Sequence, residues 1–251
     1  MPAPRWRRRC VVAALAVLPS ACGSDPVRSP PAGPPAPAPQ RYTVSSVVDG
    51  DTVRFTPPLS GSTSLRLLNI DAPELGGSTQ EPWAGASRAH LQQILPSSSE
   101  IAIETDQERT DSFGRVLGHA VRADGVNVNR EQLRLGHAVL YVIWPNLAQF
   151  AEYRSAQIEA QTSGRGIWGA AAPMGELPFE YRLRQDRAAA FRPVGDFFTR
   201  SYVEPADYRQ VHVNNRVFFN SRGDAEAAGY RACARDTSGR YSDACFAAGS
   251  H

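Results

Sequence analysis

Polar and apolar positions alternate in the first third of the chain and adopt helical spacing further on. Residues 42–48 and 52–56 are strand-like runs separated by Asp49-Gly50-Asp51, a strong turn signal. Residues 64–70 alternate apolar and polar side chains and stop at Asp71-Ala72-Pro73-Glu74, which makes a third strand. Between 82 and 95, Ala86, Ala89, Ile94 and Leu95 fall near helical spacing. Two more strands are expected at 100–105 and 114–121, with a polar loop between them. Asn129 followed by Gln132 reads as a capping box and Gly136 as a natural stop, and a third helix is expected over 148–162, ended by Gly164. The order βββ-α-ββ-α-α, mainly β with α, fits a five-stranded OB-fold barrel with three helices, an architecture that commonly takes nucleic acids or oligosaccharides.

The flanks have a different texture. Arg5, Arg7, Arg8 and Arg9 precede a short apolar run and then Ser20-Ala21-Cys22, the layout of a secretory signal over residues 1–22. The apolar run is too short to span a bilayer as a lasting helix. Cys22 after Ser-Ala resembles a bacterial lipoprotein box, although Pro19 stands where Leu is usual. Two outcomes stay open: acylation of Cys22 with membrane anchoring, or ordinary cleavage and release. Either makes the protein exported, as a cell-envelope lipoprotein or a secreted one. Residues 23–40, dominated by Pro and Ala, form a stiff spacer. The barrel is expected over 41–169, a second bridge over 170–195 and a small module over 196–251. Glu176 to Arg192 within that bridge is either helical or a mobile connector.

Charge narrows the chemistry. The whole chain carries +2, but residues 41–169 hold 11 arginines against 14 carboxylates, a net of −3. Diffuse positive charge is therefore not how this segment would bind a polyanion; a few placed arginines and a metal cation must do it. The chain has no lysine, so every side-chain cation other than histidine is a guanidinium, suited to bidentate phosphate binding; an arginine-biased genome explains this equally well. The four cysteines, at 10, 22, 233 and 245, all lie outside 41–169, which argues against a thiol nucleophile there.

Three segments concentrate charge beside turns. Asp49-Gly50-Asp51 alone is no more than a hairpin. Arg66 lies inside an apolar strand, a costly place unless it meets an anion, and Asp71 and Glu74 flank Pro73 at that strand's end. The third segment, Arg109-Thr110-Asp111-Ser112-Phe113-Gly114-Arg115, alone is a solvated loop. Together they supply what phosphodiester hydrolysis needs. Asp51 and Asp71 offer carboxylates to a hard cation such as calcium or magnesium. Glu74 can take the proton of an attacking water. Arg66 and Arg115 can clamp the phosphate.

VVDGDTVRF, LRLLNIDAPE, RTDSFGR and the closing GRGIW, in this order and spacing, resemble the staphylococcal nuclease family. The resemblance covers about half the chain. It implies an OB-fold and calcium-dependent cleavage of DNA and RNA, leaving 3′-phosphate ends because water displaces the 5′ oxygen. It puts the family's metal carboxylates on Asp51 and Asp71, a backbone carbonyl ligand on Ala72, and the catalytic set on Arg66, Glu74 and Arg115. For the nucleotide pocket it points to Phe113, where a tyrosine is familiar, to Tyr141 as a base-stacking ring, and to Trp144, next to Ile143 which replaces the next aromatic. A monomer is expected. The rival reading is a non-catalytic nucleic-acid- or wall-binding lipoprotein using the barrel as an adaptor; retention of all five charged side chains favours the enzyme.

The C-terminal module resembles the small zinc-binding modules of Ada-type proteins, with only Cys233 of the ligand set in place. Asp236 stands at the second Cys position, and Val203 and Ala206 or Asp207 stand at the upstream ones. One thiolate does not make a tetrahedral zinc site. A Cys233–Cys245 disulfide, free thiols and a non-standard site including His251 are the alternatives. The module's expected core is Tyr202, Val217, Phe218, Phe219 and Tyr230, and its expected job is binding or positioning.

Overall fold

The computed structural model describes residues 40–76, 81–185, 192–242 and 245–246. The signal segment, Cys22, His251 and all but the last residue of the Pro/Ala spacer lie outside these. Within the first half, β1 (Arg41–Val47), β2 (Thr52–Leu59) and β3 (Ser62–Leu67) form an antiparallel meander, followed by β4 (Ile70–Asp71) and α1 (Ala84–Ile94). Strands β5 (Glu100–Glu104) and β6 (Val116–Arg122) complete a closed barrel in the order β1-β2-β3-β6-β5. Helix α2 (Val128–Arg134), β7 (Val139–Leu140), β8 (Val142–Ile143) and α3 (Phe150–Thr162) follow. The expected barrel with three helices is the observed one.

The barrel closes because inward positions are apolar and outward ones are not. Val53, Phe55, Leu65, Leu67, Ile101, Val116 and Ala120 are all buried in one core. Each large side chain removed from water here contributes roughly 1.5–3 kcal/mol. Gly118 faces Ile103 and Leu65 so closely that a Cβ would come within 2.8 Å of Ile103, so the barrel wall is filled at that point.

The capping-box reading of Asn129 and Gln132 is corrected. Asn127 is the N-cap, its side chain accepting from Arg130 N–H. Asn129 is fully buried and ties the helix to the barrel, donating to Leu68 O at 2.9 Å and accepting from Ala120 N at 3.0 Å. Gly136 does end α2, with φ of 71°, and it meets Gly166 so closely that neither tolerates a side chain.

Beyond the short 3₁₀ turn at Gly166–Trp168 come α4 (Pro178–Arg184), β9 (Val194–Asp196), β10 (Ser201–Val203), β11 (Arg216–Phe218), α5 (Arg222–Ala227) and β12 (Arg231–Ala232). The expectation of a separate module changes here. β8 from the barrel half pairs in parallel with β11, Val142 opposite Val217, and completes a sheet ordered β12-β10-β9-β11-β8. Tyr202, Val217, Phe219 and Tyr230 belong to the same buried cluster as the barrel residues, and Phe218 packs with Tyr141 and Phe179 in a second one. All five expected core residues are buried. The described residues, all from 40 onward, fall in one compact unit.

Cys233 and Cys245 are joined in a disulfide. The thiol expected of a zinc-type site is thereby spent; Val203 is buried in the apolar core, and Asp207 is paired with Arg235 and Tyr241.

Candidate active site

The turn between β1 and β2 places Asp51. Its N–H donates to Asp49 Oδ1 at 3.0 Å, and its carbonyl accepts from Leu67 N–H at 2.8 Å. Gly50 is needed for proximity rather than for turn geometry, since its φ is not positive. A Cβ on it would lie 1.9 Å from Ser87 Oγ and 2.6 Å from Ala72 Cβ. The turn therefore lies directly against α1 and against the residue following Asp71. Gln132 Nε2 donates to the Gly50 carbonyl at 2.7 Å and fixes it there from α2.

Asp71 comes from the other side. Pairing of β4 with β7 sets it opposite Val139, and it is fully buried. The two carboxylates meet through shared partners. Ala72 N–H donates to Asp51 Oδ2 at 2.8 Å, and Thr52 Oγ1 to Asp51 Oδ1 at 3.1 Å. Arg66 spans both acids, its Nη1 lying 2.9 Å from Asp51 Oδ2 and its Nη2 3.2 Å from Asp71 Oδ1. The same Nη1 also donates to the carbonyls of Leu67 and Ile70. The anion required by an arginine in an apolar strand is thus a pair of aspartates.

Burial sets the proton affinities. Desolvation pushes the Asp51 carboxyl up to about 8, against the opposing charge of Arg66. Burial also weakens the charge on Arg66, but Asp51 and Asp71 outweigh it and hold the guanidinium above its ordinary range. Glu81, 3% exposed and without an ion pair among the described residues, is likewise pushed up to about 8 by burial, Asp71 and Glu74 adding to the effect.

Glu74 is half-buried and pairs with a residue absent from the expected set, Arg182 of α4. Arg182 Nη1 and Nη2 donate to the two oxygens of Asp71, each at 2.7 Å, and Nη1 lies 3.5 Å from Glu74 Oε1. Burial opposes its charge, and Asp71, Tyr141 and Glu74 more than restore it.

Arg115 is not brought into this cluster directly. Its Nε donates to Asp111 Oδ2 at 2.7 Å, and Asp111 Oδ1 accepts from the N–H groups of Phe113 and Arg115. Arg115 stands at the end of the loop that leads into β6, and parallel pairing sets Arg66 opposite Leu117, two residues further along that strand. Asp111 is the organiser of this loop, a role that its sequence setting did not reveal.

The three aromatic positions diverge. Phe113 is 81% exposed, with the Arg115 guanidinium 5.6 Å from its centroid. Trp144 is partly buried against Phe219. Tyr141, expected as a base-stacking ring, is buried in this structure, with Phe218 4.4 Å from its centroid and Arg182 over it at 5.3 Å. The C-terminal segment has covered the faces a base would use.

The donor set fits a hard divalent cation. The Asp51 and Asp71 carboxylates and the Ala72 carbonyl are all oxygen donors, and Arg66 between the two acids shows that they face a common point of positive charge. Among the described residues no three His, Cys, Asp or Glu side chains are gathered for a metal, so an ion bound here would rely on carbonyl and water oxygens as well. Calcium and magnesium accept such mixed coordination.

A closed five-stranded barrel with a paired-aspartate, arginine-bridged cluster at its β1–β2 turn defines the class. The family described as staphylococcal nuclease homologue matches residues 64–170. Over 80% of its length the chain is 36% identical to Endonuclease YhcR of Bacillus subtilis, though it spans only 17% of that protein. An uncharacterized endonuclease of Escherichia coli is 31% identical over 57% of this chain and 84% of its own, and the Thermonuclease of Staphylococcus hyicus is 25% identical over 51% and 76%. The chain belongs to the staphylococcal nuclease family.

Proposed function

We propose that the protein is an exported endonuclease that hydrolyses DNA and RNA with a bound divalent cation, calcium by preference, and leaves 3′-phosphate ends. The observation that carries the proposal is the bridging of Asp51 and Asp71 by Arg66, which gathers two buried acids and one cation at a single point. A cation held by Asp51, Asp71 and the Ala72 carbonyl would supply Lewis-acid stabilisation of the phosphoryl oxygens.

The chain's own residues account for the remaining steps. Glu74, half-exposed at the mouth of the cluster, accepts the proton of the attacking water as its oxygen bonds to phosphorus. Arg66, within the cluster, and Arg115, on the loop leading into β6, stabilise the charge that builds on the equatorial oxygens. The bond to the 5′ oxygen breaks, and that oxygen, leaving with the bonding pair, takes a proton from solvent to become the 5′-hydroxyl. Phe113 offers a ring face on which a flanking base can stack, a contact worth about 1–3 kcal/mol. A monomer is sufficient for all of these contacts.

Export follows the arginine-led apolar segment, with Cys22 as the acylated residue in the lipoprotein form. The mass of the mature N-terminus distinguishes lipidation from simple cleavage.

Plasmid DNA and RNA incubated with the purified protein should be cut in calcium, spared with chelator, and yield 3′-phosphate termini. Failure to cut in every divalent metal tried sinks the proposal in favour of a non-catalytic nucleic-acid-binding adaptor.

A further inference from the structure

Arg182 lies outside the matched family segment, in a stretch for which the sequence left helix and mobile connector both open, yet it makes the most complete ion pair in the site. Both oxygens of Asp71 accept from it at 2.7 Å, and Oδ1 also accepts from Arg66. Asp51 is engaged just as fully, by Thr52, Ala72 and Arg66. Every oxygen of the two aspartates already has a donor on it, and a cation approaching Asp71 would meet the Arg182 guanidinium spread across both oxygens, so like charge sets the two in competition for that acid. Ala72 N–H and Thr52 are fixed by the backbone beside Asp51. Arg66 is anchored by two carbonyls of its own strand segment, which would hold it near even without the acids. Arg182 has a different set of alternatives. Glu74 lies 3.5 Å from it and is half-exposed, with a carboxylate free to take a closer ion pair.

We infer that Arg182 is a built-in competitor for the metal position: α4 donates a guanidinium that holds Asp71 when the cation is absent and is displaced toward Glu74 when it binds. This rests on the proposed metal-dependent reading of the site. The arrangement belongs to the extended chain and not to the barrel alone. A match over 80% of 251 residues necessarily includes Pro178–Arg184, so α4 lies within the span shared with the Bacillus subtilis endonuclease. Arg182 also lies over Tyr141, which packs on Phe218, so its movement is felt by the sheet that joins barrel and C-terminal module.

The test is calcium binding to the purified protein by calorimetry, without nucleic acid. Arg182→Gln removes both the charge and the fork and is expected to tighten calcium binding by about tenfold or more. Arg182→Lys keeps the charge but cannot bind both oxygens of Asp71 at once, and is expected to bind calcium more tightly than wild type by a smaller factor. A purely structural role predicts weaker or unchanged affinity in both variants, and that result overturns the inference while leaving the metal site standing. Binding by neither wild type nor variants, in calcium, magnesium or manganese, overturns the metal reading and the inference together. Should Arg182→Gln fail to fold, hydrogen exchange on the wild type decides: saturating calcium should speed exchange in the amides of Pro178–Arg184 while the barrel strands are protected. Protection of α4 by calcium would overturn the displacement.

Discussion

Gln132 and Gly50, 82 positions apart, are joined by a 2.7 Å hydrogen bond from a buried side-chain amide to a turn carbonyl. That bond, with the contact of Gly50 on Ser87, sets where Asp51 stands. Gln132→Leu should leave the Gly50 carbonyl without its donor and cost about 1–3 kcal/mol in urea unfolding. Its turnover should fall more than its stability explains, because the turn that carries Asp51 is loosened. A variant with wild-type kcat would show that the bond is only a packing detail.

Gly50→Ala tests proximity by steric means. The new methyl would meet Ser87 Oγ and Ala72 Cβ, so overpacking of about 1–3 kcal/mol is expected, read as a lowered Tm. Ser87→Ala in the same chain should recover part of the loss by removing the nearest atom. If Gly50→Ala melts as the wild type does, the close approach is not real.

Arg66→Ala should lower kcat by about 10²–10³, the usual cost of removing one donor to developing charge. Arg115→Ala should do likewise through the phosphate, although among the described residues the Arg115 guanidinium is held by Asp111 and lies by Phe113. Single-turnover cleavage of a short oligonucleotide separates the two from binding defects. Wild-type rates in either variant remove that arginine from the mechanism.

Acid stability should follow His119. It is buried beneath α3, with Nδ1 2.7 Å from the Tyr153 hydroxyl, and burial lowers its pKa from 6.5 to about 4. The unfolded chain therefore takes up a proton before the folded one as pH falls. Stability is fully present above about 6.5 and is lost between there and about 4, by about 3 kcal/mol. His137, lowered to about 4 by burial and by neighbouring His90, acts in the same direction. Urea midpoints across this pH range should slope less in His119→Gln; an unchanged slope would assign the effect elsewhere.

Reduction of Cys233–Cys245 should cost about 3 kcal/mol, the chain entropy of opening a loop of this length. Because the C-terminal module shares its core with the barrel, the loss should appear in the melting of the whole protein. A separate early transition with an unmoved main one would mean that the module unfolds independently.

What the sequence made legible follows physical range. The barrel strands announce themselves because alternation is local, and the site acids because they stand beside turns. β4 and β7 are two residues each and carry no period to read. The pairing of Val142 with Val217 has no local signature at all. Asn129 and Gln132 carry the residue types of a cap, but their side chains point into the protein; only packing distinguishes the two uses. Gly50 follows an aspartate, as hairpin glycines do, and its real constraint is a neighbour from a distant helix. Arg182 sits in an unremarkable Phe-Glu-Tyr-Arg-Leu-Arg run, where its destination depends on tertiary structure alone.

The parallel ladder between β8 and β11 has a practical meaning for anyone wishing to trim the protein to a minimal catalyst. Ending the polypeptide at Trp168 would strip a neighbour from Val142 and Ile143 and lay bare Tyr141, together with the barrel-side residues that pack on Phe219. Such a fragment would present an unprotected strand edge next to an oily patch, and its expected fate is self-association.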